Sequence, residues 1–353
     1  MSVIVERALG AVGTGEAMLF HRPFGFLGLA IEGGSPTSIF RPDATPAHSI
    51  FGLSMFILAI TGTIFAVVTG LLIYALIKFR QREADTSGEP AQIFGSTQIE
   101  TAWTVIPLLI VVVMFLTAAR VILATQAIPK PAKTLDVQVV GHQFWWEYRY
   151  PKQGFVTANE LHIPASDPAH PLPTYLEMSS ADVIHSFWVP RLAGKLDVVP
   201  QHVNTMWFDP SKPGLYLGQC AQYCGVNHAK MLLRVYVDSP EDFAAWVKRQ
   251  QAVPEGVTST DPAIAEGKLV FEKNACVNCH TVSGTVAKGR FGPDLTHVGS
   301  RDTIASGAIE NTPENLRKWI EDPNQMKPGA LMPAMRLNDR DLDAVTKYMT
   351  ALR

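Results

Sequence analysis

Residues 50–77 carry no charged side chain, and no other feature restricts the fold of this chain as tightly. At a helical rise of about 1.5 Å per residue the run crosses the ~30 Å hydrocarbon core of a bilayer with some tilt. A second apolar run, 102–119, is followed by Arg120 and then by the uncharged residues 121–129. It also reads as a span, with Arg120 near an interface where its stem lies in the apolar region and its head in water. The loop between the runs begins with Lys78, Arg80 and Arg82, and a loop rich in cations stays in the cytoplasm. Lys130 and Lys133 beyond the second run weaken that asymmetry without reversing it. Two spans with the joining loop inside leave both chain ends outside. Residues 1–48 have no functional reading, and Glu16 interrupts their apolar patch 8–20, so no signal-peptide pattern is expected there.

From residue 131 the pattern changes to short runs separated by Pro and Gly. "TLDVQVVGHQFWWEYRY", "TYLEMS", "NTMWF", "GLYLGQ" and "LLRVYV" are of strand length and rich in branched or aromatic residues. Together they predict a small antiparallel sandwich or barrel over 131–238. "SPEDFAAWVKRQQ" predicts a helix capped by Ser239, with Phe243, Ala244 and Val247 on one face. Residues 253–261, "VPEGVTSTD", read as a polar linker. Beyond it, "PAIAEGKLVFEKN", "TPENLRKWIED" and "NDRDLDAVTKYMTALR" have helical apolar spacing, which predicts a small α-domain. The net charge of -2 offers no basic field for phosphates and argues against a nucleic-acid partner.

The 4 cysteines fall into close pairs. "CVNCH" is the pattern of covalent c-type haem attachment: the thiols of Cys276 and Cys279 add to haem vinyl groups, and His280 is placed to ligate the iron. A zinc ribbon would need a second such pair, and a redox dithiol would need a βαβ setting. For the opposite face of the iron, Met332 in "GALMPAMRL" competes with Met335, Met326 and His297, and each of these also reads as core packing. The other pair lies in "GQCAQYCGVNHAKM", where Cys220 and Cys224 are followed by His228 and Met231. A disulfide is the plain alternative in an oxidising compartment. Thiolate, imidazole and thioether in one segment nevertheless select copper. A mononuclear blue-copper site normally uses fewer cysteines, whereas paired thiolates can bridge two copper ions, each with its own imidazole. His185 in "ADVIHSFWVP" supplies the second imidazole.

"IETAWTVIP", "GHQFWWEY", "IHSFWVP" and "GQCAQYCGVNHAKM", in this order after the apolar runs, resemble subunit II of the haem-copper cytochrome c oxidases. The resemblance covers the chain from about residue 49 to its end and is to the caa-type variety, with a cytochrome c fused at the C-terminus. It implies a membrane-anchored mosaic: a two-helix transmembrane hairpin over 49–130, then an all-β cupredoxin-like domain with a C-terminal helix over 131–252. A linker over 253–261 and an all-α class I cytochrome c domain over 262–353 complete it. It further implies a dinuclear copper centre (CuA) held by His185, Cys220, Cys224, His228, Met231 and the main-chain carbonyl of Gln222. One covalent haem c would be held by Cys276, Cys279, His280 and, from the "MPxF"-like loop, Met332 in preference to Met335. The Pro293 carbonyl would orient His280. Arg301 and Trp319 resemble groups near haem propionates, with helix packing an equal reading. Glu is more frequent in the family at Gln222 and is linked in relatives to a magnesium site shared with subunit I, so Gln222 puts that site in question here. Glu100 matches a glutamate at the entrance of a proton path into the catalytic subunit. Phe144 stands where relatives fed by a separate cytochrome often carry Trp, and with Trp145 and Trp146 it forms the aromatic run expected where electrons come in.

The implied function is that of the subunit through which electrons enter a terminal oxidase. They would pass from an external donor, cytochrome c or another periplasmic carrier, through haem c and the dinuclear copper to subunit I, where oxygen is reduced to water. No oxygen-reducing site is expected in this chain, because that chemistry needs histidines on several membrane helices. The implied location is the bacterial inner membrane, multi-pass, with the copper and haem domains on the periplasmic face beside subunit I and other oxidase subunits. A copper-bearing subunit of a nitric oxide reductase complex is one competing reading, against which Glu100 weighs. A membrane-tethered electron carrier without a fixed catalytic partner is another. Quinol-oxidase subunits share the hairpin and β-domain but lack the copper ligands.

Overall fold

The computed structural model describes residues 35–80, 92, 94–126 and 134–353. Arg82, Lys130, Lys133 and the reading of residues 1–34 lie outside this set. Helices α1 (Thr45–Lys78) and α2 (Thr97–Gln126) carry the apolar runs and are long and apolar enough to cross a membrane. Many of their large side chains are exposed: Phe65 by 72%, Leu71 by 64% and Phe115 by 69%. Helices satisfy their own backbone and so can present such a surface to lipid.

Helix α1 begins earlier than its uncharged run because the β-domain caps it. Asp209 accepts hydrogen bonds from Thr45 N at 2.8 Å and Thr45 Oγ1 at 2.7 Å, satisfying first-turn donors that would otherwise be orphaned. Trp207 Nε1 donates to Thr125 O at 2.7 Å and does the same for a carbonyl in the last turn of α2. Trp207 and Asp209, two positions apart, therefore hold the start of one helix and the end of the other against the β-domain.

The β-domain strands are β1 (Leu135–His142), β2 (Trp145–Tyr150), β3 (Phe155–Ala158), β4 (Glu160–Pro164), β5 (Thr174–Ser180), β6 (His185–Trp188), β7 (Leu196–Val198), β8 (Asn204–Phe208), β9 (Gly214–Cys220) and β10 (Leu232–Asp238). They form two five-stranded sheets, β3-β2-β1-β5-β8 and β4-β10-β9-β6-β7, in a cupredoxin-like sandwich. Trp146, Tyr148, Leu161, Phe187 and Met231 are fully buried in its core. The purely antiparallel expectation needs correction: β1 pairs with β5, and β4 with β10, in parallel. The chain visits the other sheet between the members of each pair, so neighbours return in the same direction without a hairpin.

Ser239 caps α3 (Pro240–Gln251) by accepting from Asp242 N. Phe243 and Val247 pack on the sandwich, but Ala244 is exposed and Trp246 holds the buried position, stacked 4.4 Å from the His162 ring. The large indole gains more from burial than alanine and rotates the contact face toward itself.

The last domain comprises α4 (Glu255–Thr258), α5 (Pro262–Lys273), α6 (Cys276–Cys279), α7 (Pro313–Glu321), α8 (Pro323–Met326) and α9 (Asp339–Ala351). Phe271 on α5, Leu316 on α7 and Val345 and Tyr348 on α9 share its core. Residues 253–261 are not a free linker. Helix α4 lies inside them, Gly256 is buried where a Cβ would come within 3.0 Å of the Ala351 backbone, and Val257 packs on the domain core.

Candidate metal centre and haem pocket

The sandwich brings His185, at the start of β6, beside the end of β9, where Phe187 is paired with Cys220. Cys220 N donates to Met231 O at 2.9 Å, which closes the intervening segment into a loop whose donors point inward. Gly225 allows the loop to turn, with φ +130°, a conformation that penalises a side chain. A Cβ there would also lie 2.9 Å from the Phe144 ring.

Inside the loop the sulfurs of Cys220 and Cys224 are 3.9 Å apart and not bonded to each other. Each has its own imidazole: His185 Nδ1 is 3.9 Å from Cys220 Sγ, and His228 Nδ1 is 3.7 Å from Cys224 Sγ. Met231 Sδ lies 4.0 Å from Cys224 Sγ, and Gln222 O lies 3.2 Å from Cys220 Sγ. The six residues read from the sequence therefore converge. His185 and Met231 are fully buried, Cys220 is 2% exposed and Cys224 4%, so these four donors are shielded from water, while His228 is half-buried and Gln222 exposed. Contact between the thiols, together with burial, pushes Cys224 far above the usual thiol range. A cationic metal beside the sulfurs would favour their thiolate forms, and the soft donor set suits copper.

Two residues that were not anticipated support the donors. Asp182 Oδ1 lies 2.8 Å from His185 Nε2, which leaves Nδ1 for the metal side, and Asp182 Oδ2 accepts from Gln143 N at 2.6 Å. Burial works against its charge, yet the bonds from His185, Gln143 N and Val183 N hold its carboxyl below the usual range. Gln143 in turn donates through Nε2 to Cys224 O at 2.6 Å, so one residue touches both arms of the site. The three-residue step from Asp182 to His185 was the available signal, whereas Gln143 left none.

The second site is a cavity of about 580 Å³. Cys276, Cys279 and His280 line it from α6 and the residue after it, facing Met332 and Met335 from the loop before α9. His280 Nδ1 donates to Pro293 O at 2.8 Å. Burial lowers the His280 pKa, which keeps the ring neutral, and the carbonyl bond on Nδ1 leaves the Nε2 lone pair for a metal. A Cβ at Gly292 would stand 2.6 Å from the His280 ring, so only glycine lets the strap pass. Trp319 lines the cavity, as does Arg301, whose Nε is buried without a partner and fits an acidic substituent of a bound group. His297 turns away, with Nε2 donating to Gln250 O at 3.2 Å, and neither it nor Met326 is among the described lining residues.

Phe144, Trp145 and Asp182 of the β-domain line this same cavity. Trp145 stacks on His142 at 4.1 Å, and Trp146 meets the His185 ring edge-on at 5.9 Å. Glu100 joins neither site: it is exposed in the first turn of α2, at the end opposite Thr125.

Family models for cytochrome c oxidase subunit II match residues 35–121 (transmembrane domain) and 135–237 (periplasmic domain), and a cytochrome c model matches 264–353. Cytochrome c oxidase subunit 2 of Alkalihalophilus pseudofirmus is 33% identical over 339 residues, spanning 94% of this chain and 96% of that one. The chain belongs to the cytochrome c oxidase subunit II family. The Bacillus sp. (strain PS3) subunit 2 is likewise 33% identical over 352 residues, with the same coverage, and the Bacillus subtilis subunit 2 is 29% identical over 80% of this chain and 82% of its own. This subunit II is a membrane-anchored part of an oxidoreductase haem-copper complex and the place where electrons enter a terminal oxidase. Its periplasmic domain implies a copper centre and its C-terminal domain a haem.

Proposed function

We propose that this subunit II takes electrons from an external donor into a covalent haem c and a dinuclear copper centre, and passes them to the catalytic subunit that reduces oxygen to water. When bound, the two groups supply reversible one-electron exchange; the chain supplies ligands, orientation and exclusion of water. Cys276 and Cys279 carry the thioether links, and His280, set by Pro293, and Met332 hold the iron. His185, Cys220, Gln222 O, Cys224, His228 and Met231 would hold the two copper ions. Arg301 holds a propionate. The observation that carries this reading is the shared cavity wall: Phe144, Trp145 and Asp182 face the space bounded by Cys276, Cys279 and His280, and Asp182 is bonded to His185. Glu100, at the far end of α2 from the copper, is assigned to the mouth of a proton path in the partner. The subunit is multi-pass in a bacterial inner membrane, with both redox domains on the periplasmic face.

The purified complex should contain two copper ions per chain and one haem that stays with the chain through acid-organic extraction. Met332→Leu should abolish the sulfur-to-iron band of the ferric haem and lower its potential, since methionine ligation raises it. An intact band in that variant, with loss in Met335→Leu, would reassign the ligand.

A further inference from the structure

The cytochrome c domain meets the β-domain through two buried charges that reach in opposite directions. Lys327, 3% exposed, donates through Nζ to Ala305 O at 3.0 Å within its own domain, then across to Lys230 O at 2.9 Å and Phe144 O at 3.2 Å. These carbonyls match the three donors of an ammonium group. Glu160, 4% exposed on β4, reaches the other way and accepts from Thr303 N and Thr303 Oγ1, each at 2.8 Å, and from Asp302 N at 3.2 Å. Residues 302–306 lie between the two, and there Ser306 O accepts from Leu232 N at 3.1 Å and Asp302 Oδ2 from Tyr236 OH at 2.7 Å.

A buried charge is tolerated only when its hydrogen-bonding capacity is filled. Burial pushes Lys327 down to about 8, which marks how little water reaches it. Each charge is satisfied mainly by the other domain, or by a segment that the other domain clamps. Any shift of the cytochrome c domain would strip both at once, so the pair favours a single pose over a set of loosely docked ones. The carbonyls that Lys327 engages belong to the residues immediately before Trp145 and Met231, one at the cavity wall and one beside the copper loop.

We propose that Lys327 and Glu160 form a reciprocal latch that holds the cytochrome c domain in one docked pose, with Lys327 a positioning residue for electron passage between the domains. The positioning role, unlike the latch, rests on the proposed relay. The test uses the full-length chain in its complex and compares the wild type with Lys327→Met and Glu160→Gln by hydrogen exchange over residues 144–147 and 302–306. Both variants should speed exchange at both segments by about tenfold or more, because each leaves buried groups of the partner domain unsatisfied. The thiolate absorption of the copper site and the methionine band of the haem should not change. If Lys327→Met does not accumulate, Glu160→Gln reads the same surface with the ammonium left in place. Exchange at the wild-type rate in a folded variant of either kind would overturn the latch. Faster exchange with an unchanged rate of transfer between the domains would leave the latch standing and remove its role in the relay.

Discussion

A complex whose subunit II ends at about Val253 should keep its copper and its oxygen uptake from a small artificial reductant, yet lose efficient oxidation of its natural donor. The β-domain core of Trp146, Phe187 and Leu161 belongs to the sandwich alone, so the copper loop should survive the deletion. What disappears is the docked domain, and with it the local supply of electrons. Covalent attachment holds that domain at an effective concentration on the order of millimolar, and losing such a link lowers apparent affinity by ~10²-fold or more. Donor oxidation should fall on that scale. Returning the haem domain as a separate protein should restore turnover in proportion to its concentration, with a salt dependence if charged faces guide the encounter. Donor oxidation at the intact rate by the truncated complex would remove the haem domain from the main electron path.

Cys220→Ser should have the largest effect of any single substitution. Its sulfur lies against His185 Nδ1, Cys224 Sγ and Gln222 O, so it meets the imidazole from β6 as well as the donors of the loop. A serine oxygen is harder and bridges copper poorly. Changes outside the ligand set already cost ~10- to 100-fold in metal affinity, and removing a bridging ligand should cost more. Copper per chain should drop below two, and the purple thiolate absorption should vanish. Gln222→Glu should leave both intact, because Gln222 approaches Cys220 through its main-chain carbonyl. Two copper ions with an unaltered spectrum in Cys220→Ser would contradict the bridged assignment.

Much of this molecule is written locally. Absence of charge over 50–77 is enough for a long apolar helix, "CVNCH" puts two thiols and an imidazole on one cavity wall, and Ser239 caps α3 where the sequence places it. The convergence of thiols, imidazoles and thioether was legible because most lie in one short loop, and the sandwich had only to bring up His185. Features that depend on distant partners were not legible. Asp209 caps α1 across 164 positions, and no pattern near Thr45 announces it. Lys327 looks like any surface lysine until Phe144, 183 positions away, presents its carbonyl. Glu160 lies on β4, outside every run read as strand, and no pattern beside it sets it apart. The linker reading failed for a related reason: composition marks 253–261 as polar, but Val257 finds an apolar surface that exists only once α5 and α9 have packed. Choosing among the methionines also lay beyond local pattern, since Met332 and Met335 both face the cavity.

The relay itself is tested most directly by photoreducing the haem in the intact complex and following haem reoxidation together with the copper absorption. The account predicts that copper is reduced as haem is oxidised, in a first-order process whose rate does not change with protein concentration. A rate that rises with protein concentration, or haem reoxidation without any copper signal, would contradict it.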